Sequence, residues 1–231
     1  GSKTYKSWHD AITGEGKWKE AVQAYLASIY FVDKQLGRVL DALEQSPHAE
    51  NTIIVLWSDH GWMLGEKEAW RKYRPWEDSV RTNFIIKAPG MPAAAVENPV
   101  ELLSIWPTLS ELAGLPMKED LDGRSLVPLM EDPSMRWNHP VITAHIDESG
   151  SGGWQSIRTQ KYRYIKYMKT GDEELYDHSK DPNEWTNLID CTAYKSVRGE
   201  LSELVPDEMT PLGSWHAPNE AVGEHNQPVL H

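Results

Sequence analysis

The sequence predicts an α/β fold in its first part and a small α+β unit built on an antiparallel sheet in its second. Three observations carry this. Residues 19–45 place Val22, Leu26, Ile29, Val32, Leu36, Val39, Leu40 and Leu43 at helical spacing, the pattern of one long amphipathic helix. Residues 52–57, Thr-Ile-Ile-Val-Leu-Trp, are a nearly unbroken apolar run of strand formers, the look of a central strand in a parallel sheet covered on both faces. From about residue 136 the texture changes to short strand-like runs separated by Gly-rich or tight turns.

The elements follow in order. Asp33 and Gln35 fall between apolar positions of the long helix and face solvent or a polar seam. Ser46-Pro47-His48 ends that helix, because proline cannot continue the hydrogen-bond ladder. Phe84-Ile-Ile-Lys87 is a second strand of the buried type, stopped by Pro89-Gly90. A Pro- and Ala-rich loop covers 91–99, and a helix is predicted over 101–113, kinked or restarted near Ile105-Trp106 by Pro107. The runs at 141–146, 154–159 and 162–167 then predict three strands. Tyr162, Tyr164 and Tyr167 with Ile165 suit a meander with one solvated face. Residues 174–188 look like a turn phrase, 194–204 a helix over the small sheet, and the tail from Pro206 a surface wrap. The division is therefore 1–135 and 136–231, and no internal repeat is visible.

Composition narrows the function. The chain is 39% hydrophobic and 25% charged, ordinary for a folded globular protein over 231 residues. No apolar run reaches membrane-spanning length, and no signal peptide opens the chain. One cysteine allows no internal disulfide and leaves the redox compartment open. With 23 basic against 35 acidic residues the formal charge is −12, which argues against nucleic acid or an anionic membrane as partner.

The 52–57 run stops at Asp59 and His60, and in open α/β sheets the functional crevice lies beyond the carboxyl ends of the strands. Gly61 lets the chain turn sharply there. A carboxylate beside an imidazole is a candidate pair of metal ligands. Asp59 as a cap and His60 as a satisfied loop histidine is the ordinary alternative, and the pair alone favours it. The following residues reverse that balance. Lys67, Arg71, Lys72, Arg74 and Arg81 form a basic cluster against an acidic background. A cation held by Asp59 beside ammonium and guanidinium groups suits a small tetrahedral anion.

Here the sequence resembles the sulfatase family of the alkaline-phosphatase-like superfamily, in the branch of iduronate-2-sulfatase and bacterial polysaccharide sulfatases. The matching pieces are Ser58-Asp-His-Gly61, Leu64-Gly-Glu-Lys67, Trp70-Arg-Lys72, Trp76-Glu77 and Ala88-Pro-Gly90. Each is weak alone; in order and at family spacing they are specific. Tyr25-Leu-Ala-Ser-Ile-Tyr-Phe-Val-Asp33, Asp122-Gly-Arg-Ser-Leu126 and the 174–188 phrase resemble further family segments. The resemblance implies the C-terminal part of an alkaline-phosphatase-like sandwich, a mixed sheet flanked by helices, followed by a small antiparallel-sheet subdomain.

It also implies roles. Asp59 and His60 stand at the later metal-ligand positions, and the metal would be calcium. Asp59 suits a hard cation, whereas His60 either binds through nitrogen or hydrogen-bonds a ligand. Lys72 aligns with the lysine that contacts the sulfate and its leaving oxygen. Lys67, Arg71 and Trp76 stand near the substrate, and Glu77 is placed to pair with Arg71 or Arg74. Of the remaining tryptophans, Trp62, Trp70 and Trp154 belong near the pocket. Gln155 stands where the family has a histidine that reaches substrate, and is a candidate substrate contact. The family nucleophile, a Cys or Ser in a Cys/Ser-x-Pro/Ala-x-Arg motif whose Cys form becomes formylglycine, is not recognisable. Cys191-Thr-Ala-Tyr-Lys195 has lysine where arginine is required and lies at the wrong end of the fold. The implied function is hydrolysis of sulfate esters on a sulfated carbohydrate, outside the cytoplasm, with an N-terminal sulfatase chain or segment completing the fold. The alternatives are a phosphoesterase or phosphonate monoester hydrolase of the same superfamily, and a non-catalytic fragment.

Overall fold

The computed structural model describes residues 7–147 and 152–207. Ser7 opens helix α1 (Trp8–Gly14) by accepting the Asp10 N–H on its hydroxyl at 3.1 Å, the usual device for an orphan helix donor. Helix α2 (Trp18–Glu44) follows the apolar spacing over 27 residues, about 40 Å at 1.5 Å each. None of its residues is buried. Leu26, Ile29, Tyr30, Phe31, Val32 and Val39 all present half or more of their surface to solvent.

Strand β1 (Ile54–Trp57) pairs with β4 (Phe84–Lys87), with Ile54 opposite Lys87 and Trp57 opposite Phe84. Between them lie the short strands β2 (Met63–Leu64) and β3 (Trp70–Arg71), paired as a hairpin, and the one-turn helix α3 (Glu77–Val80). The pairing of β1 with β4 is antiparallel, which corrects the parallel partner expected for 52–57. The expected burial also fails in part, since β4 alternates half-buried and exposed residues and Ile85 is exposed. An apolar run reports that a strand is to be covered, but carries no information on direction.

Helix α4 (Ile105–Leu112) follows a 3-10 turn at Leu102–Ser104. Pro107 falls in its first turn, where a missing N–H costs nothing, so the helix restarts instead of kinking. Thr108 fixes the next segment by donating to the Ser104 carbonyl and accepting the Leu126 N–H, ahead of helix α5 (Val127–Glu131).

The second part is one antiparallel meander of β5 (Val141–Ile146), β6 (Gly153–Arg158), β7 (Tyr162–Tyr167) and β8 (Glu173–Asp177), in that order. Residues 174–177, read from sequence as the start of a turn phrase, are thus the fourth strand. Helix α6 (Lys195–Ser202) packs over one face through Leu201 against Ile157, Tyr164 and Leu175. The opposite face buries Trp154, Ile165 and Tyr176 against Trp76 and Val80 of the first part. Both faces at the centre of β7 are therefore buried, correcting the expected solvated face. The predicted surface wrap lies outside the described residues beyond 207.

Candidate active site

The chain leaves β1 through Ser58-Asp59-His60-Gly61 and is clamped at once. Thr82 donates its hydroxyl to the Ser58 carbonyl at 2.7 Å and accepts the Ser58 N–H at 3.0 Å. Gly61 donates its N–H to the Ser79 carbonyl at 2.8 Å. A Cβ at Gly61 would collide with the carbonyl oxygens of Asp78 and Arg81, so glycine is what lets this turn lie against α3.

The acid and imidazole held there face each other. The Asp59 side chain is 71% exposed, and its Oδ2 lies 3.3 Å from His60 Nε2. Its Oδ1 accepts the His60 N–H at 3.1 Å. His60 Nδ1 is 2.8 Å from the Gly61 carbonyl, which can only accept, so that nitrogen carries a hydrogen. This orients the ring and turns Nε2 toward the carboxylate. A carboxylate oxygen and an imidazole nitrogen lie side by side, with a backbone carbonyl fixing the ring from behind, and these two atoms could hold a metal ion between them. A calcium ion takes six to eight oxygens, so two side chains supply a minority of its shell.

The β2–β3 hairpin carries the basic cluster. Met63 faces Arg71 and Leu64 faces Trp70 in its register, and Lys72 follows β3 directly. The Trp62 ring stacks on His60 with centroids 6.1 Å apart, just before β2 begins, while the Lys72 ammonium lies over the Tyr73 ring at 5.0 Å. The other basic residues separate. The Arg71 guanidinium lies over the Trp8 ring at 5.1 Å. Lys67 enters an aromatic slot, 4.8 Å from the Trp76 centroid and 4.5 Å from that of Tyr176, and donates to the Tyr176 hydroxyl at 3.1 Å. Burial there lowers the Lys67 ammonium below its ordinary value, against the pull of Glu174. The loop is strained: Lys67, Glu68, Arg71 and Tyr73 all have positive φ, between 51° and 73°. Each such residue costs on the order of 1–3 kcal/mol and persists only where its surroundings over-determine it.

The surroundings are the inner face of the β5–β8 sheet. Glu174 accepts from the Trp76 indole at 2.8 Å, from the Tyr176 hydroxyl at 2.6 Å and from the Tyr167 hydroxyl at 2.9 Å. Burial and the Glu174 charge push both phenols up. Arg163, 1% exposed, pairs with Glu77 and Glu184 and donates to Ser156 Oγ at 2.8 Å. Glu184 also accepts the Glu77 N–H at 2.9 Å, and Arg158 pairs with Glu77 at 3.2 Å. Glu77 thus binds Arg158 and Arg163, not the expected Arg71 or Arg74. Burial alone would raise its carboxyl, but Arg163 and then Arg158 outweigh it and hold the group down at about 2.

Strand alternation decides which residues of β6 face the loop. Trp154 donates its indole N–H to the Tyr73 carbonyl at 3.3 Å, and Arg158 reaches Glu77. Gln155 therefore points the other way, buried, with its amide donating to the Pro206 carbonyl at 2.9 Å. That corrects its expected substrate contact, for adjacent strand residues point to opposite faces. His145, not singled out in the sequence, lies beside the same loop. It is Trp154's cross-strand partner and stacks on Tyr73 with centroids 4.9 Å apart and planes at 23°.

One further group has the spacing of a metal site: Glu77, His178 and Glu184 offer ligand atoms within 4.8 Å of one another. The Arg163 and Arg158 guanidiniums already occupy its charge, and His178 accepts from Arg158 and donates to Glu184. It is an ion-pair network, and a divalent cation added there would meet two fixed positive charges.

Comparison with known families places this arrangement. The Sulfatase family model matches residues 2–115, and the model for the N-sulphoglucosamine sulphohydrolase C-terminal region matches residues 65–210. The chain belongs to the sulfatase family. A sulfatase from Formosa agariphila is 43% identical over 83% of this chain and 37% of its own length. The solved structure of a 2-O GAG sulfatase superposes with a TM-score of 0.75 at 28% identity, covering 81% of this chain and 42% of that one. A phosphonate monoester hydrolase from Agrobacterium radiobacter reaches a TM-score of 0.65 at 30% identity, over 75% of this chain and 38% of that one. The chain spans less than half the length of such relatives. The architecture is that of the C-terminal part of the sulfatase fold, mixed α/β with an antiparallel sheet. Among the described residues no helix is long and apolar enough to cross a membrane.

Proposed function

We propose that this chain supplies the later metal ligands and the sulfate-contacting lysine of a sulfuric ester hydrolase acting on sulfated carbohydrates outside the cytoplasm. The observation that supports the reading is the Asp59–His60 pair held side by side beyond β1, with Trp62 stacked on His60 ahead of the hairpin that Lys72 follows. Asp59 and His60 would hold calcium, which when bound polarises the sulfate oxygens. Lys72 places a fixed ammonium where the leaving oxygen gains charge, so it stabilises that state more than the bound ester. Nucleophile, arginine and the remaining metal ligands belong to an N-terminal portion that docks on the exposed faces of α2 and the β1–β4 pair, with the boundary between the two parts of this chain near residue 135. The name of the 2-O GAG sulfatase supports a sulfated sugar as substrate.

The test is sulfate release. Residues 1–231 alone are expected to give none, and the chain joined to an N-terminal sulfatase portion is expected to turn over. Asp59→Asn in that completed protein should weaken calcium binding and abolish most turnover. Release by the lone chain, or wild-type calcium affinity in the Asp59 variant, sinks the assignment.

A further inference from the structure

We propose that Tyr73 and His145 form the platform that receives the sugar ring of the leaving group, and so set which sulfate ester is accepted. The inference rests on the sulfatase reading above. Tyr73 is 60% exposed, yet it is held on several sides. Its backbone is at φ 70°, and its carbonyl is tied to the buried Trp154 indole. Its ring lies on His145, which is backed in turn by Trp154 at 5.9 Å. The Lys72 ammonium stands 5.0 Å from the Tyr73 centroid.

A tyrosine serving only the fold would turn inward, as Tyr164 and Tyr176 do here. This one is held outward in a conformation that costs energy, and such strain is kept where a site needs a fixed geometry. A rigid aromatic face beside an anion-binding ammonium matches a ligand with a charged sulfate at one end and a C–H-rich ring face next to it. A sulfated pyranose has that shape. The phenol hydroxyl and the imidazole edge add donors and acceptors for ring hydroxyls, and the stacked pair loses little conformational entropy on binding. The sheet brings His145 to this place by cross-strand pairing, so specificity is contributed by the second part of the chain to chemistry carried by the first.

The experiment uses the completed enzyme and compares KM for a sulfated monosaccharide with Ki for inorganic sulfate, which probes the anion site alone. Tyr73→Ala should raise KM about tenfold, the scale of losing a stacking contact and its desolvated surroundings, while Ki moves less than about twofold. Tyr73→Phe should restore KM to within about twofold, because the ring remains. His145→Ala should raise KM about three- to fivefold, with Ki again unmoved. The proposal is overturned if Ki rises together with KM, which would make the pair a support for Lys72, or if neither changes. It is also overturned if Tyr73→Ala impairs only choline sulfate, a quaternary ammonium ester. Should the wild-type enzyme release no sulfate from any ester, the sulfatase reading fails. Calorimetric binding of the same sulfated monosaccharide to wild type and Tyr73→Ala then decides the platform separately: equal affinities, or no binding to wild type, overturn it.

Discussion

The two faces that meet the outside of this chain's sheets are treated in opposite ways. The inner face of the β5–β8 sheet is covered by the chain's own loop, with Trp76 and Val80 packed on Trp154, Ile165 and Tyr176 and a buried ion-pair network beside them. The α2 helix and the β1–β4 pair carry apolar side chains of the same kind, yet Phe31 is 64% exposed and Trp57 and Ile85 are exposed as well. Large apolar side chains left in water on a helix and a neighbouring strand pair are the kind of surface a partner covers. The sheet's inner face is thus covered from within the chain, whereas α2 and the β1–β4 pair keep their apolar side chains exposed, where the proposed N-terminal portion would dock.

The largest expected effect tests the self-sufficient side. Arg163→Met leaves Glu77 and Glu184 facing each other without their cation in a buried setting, and should destabilise the protein by about 3–5 kcal/mol in urea unfolding. A loss under 1 kcal/mol would show that this interface is not what holds the loop. Next comes pH. The Glu77 carboxyl is held at about 2 in the folded protein, down from 4.5, so the unfolded chain takes up the proton first. Its contribution is complete above the ordinary carboxylate range and is lost as pH falls from about 4.5 toward 2, about 3 kcal/mol in all. In Glu77→Gln the acid limb of a stability–pH curve should flatten over that window; an unchanged limb would assign the sensitivity elsewhere.

Lys72→Ala should lower kcat of the completed enzyme about a hundredfold, the scale of one lost electrostatic donor. Lys169, exposed in the turn between β7 and β8, is the control, and its alanine variant should match wild type. Equal turnover in both would place Lys72 outside the site. The smallest effect sharpens the contrast. Phe31→Ser should shift the stability of this chain alone by less than about 0.5 kcal/mol, as surface changes do, and cost clearly more once the N-terminal portion is docked. The same small shift in both settings would leave the α2 face without a partner.

Most elements were legible because their signals are local. Apolar spacing gave α2 nearly to the residue, Pro107 marked where α4 begins, and alternation gave three of the four meander strands. The direction of β1's neighbour was not legible, since the same apolar run serves either pairing. Asp59, His60 and Lys72 are candidates read from short motifs that flank one hairpin. Gln155 was misread and His145 missed for one shared reason: which face of β6 meets the loop depends on contacts more than 80 residues apart, such as Trp154 with Tyr73. Glu77's partners were misread likewise, because Arg158 and Arg163 lie far along the chain and sequence proximity favoured Arg71 and Arg74.

The strained loop at 67–73 also dictates an order of assembly. Its anchors lie late in the chain: Lys67 waits for Tyr176, 109 residues on, and Glu77 for Glu184, 107 residues on. The β5–β8 meander closes through short connections and can form early, whereas the loop must close long segments before any contact rewards it. During synthesis the loop has no template until residue 184 has left the ribosome, so it is shaped last although it is made first. Amide exchange after dilution from denaturant should therefore protect β6 and β7 well before Tyr73, and a translation arrest before Glu184 should leave the basic loop open to proteases.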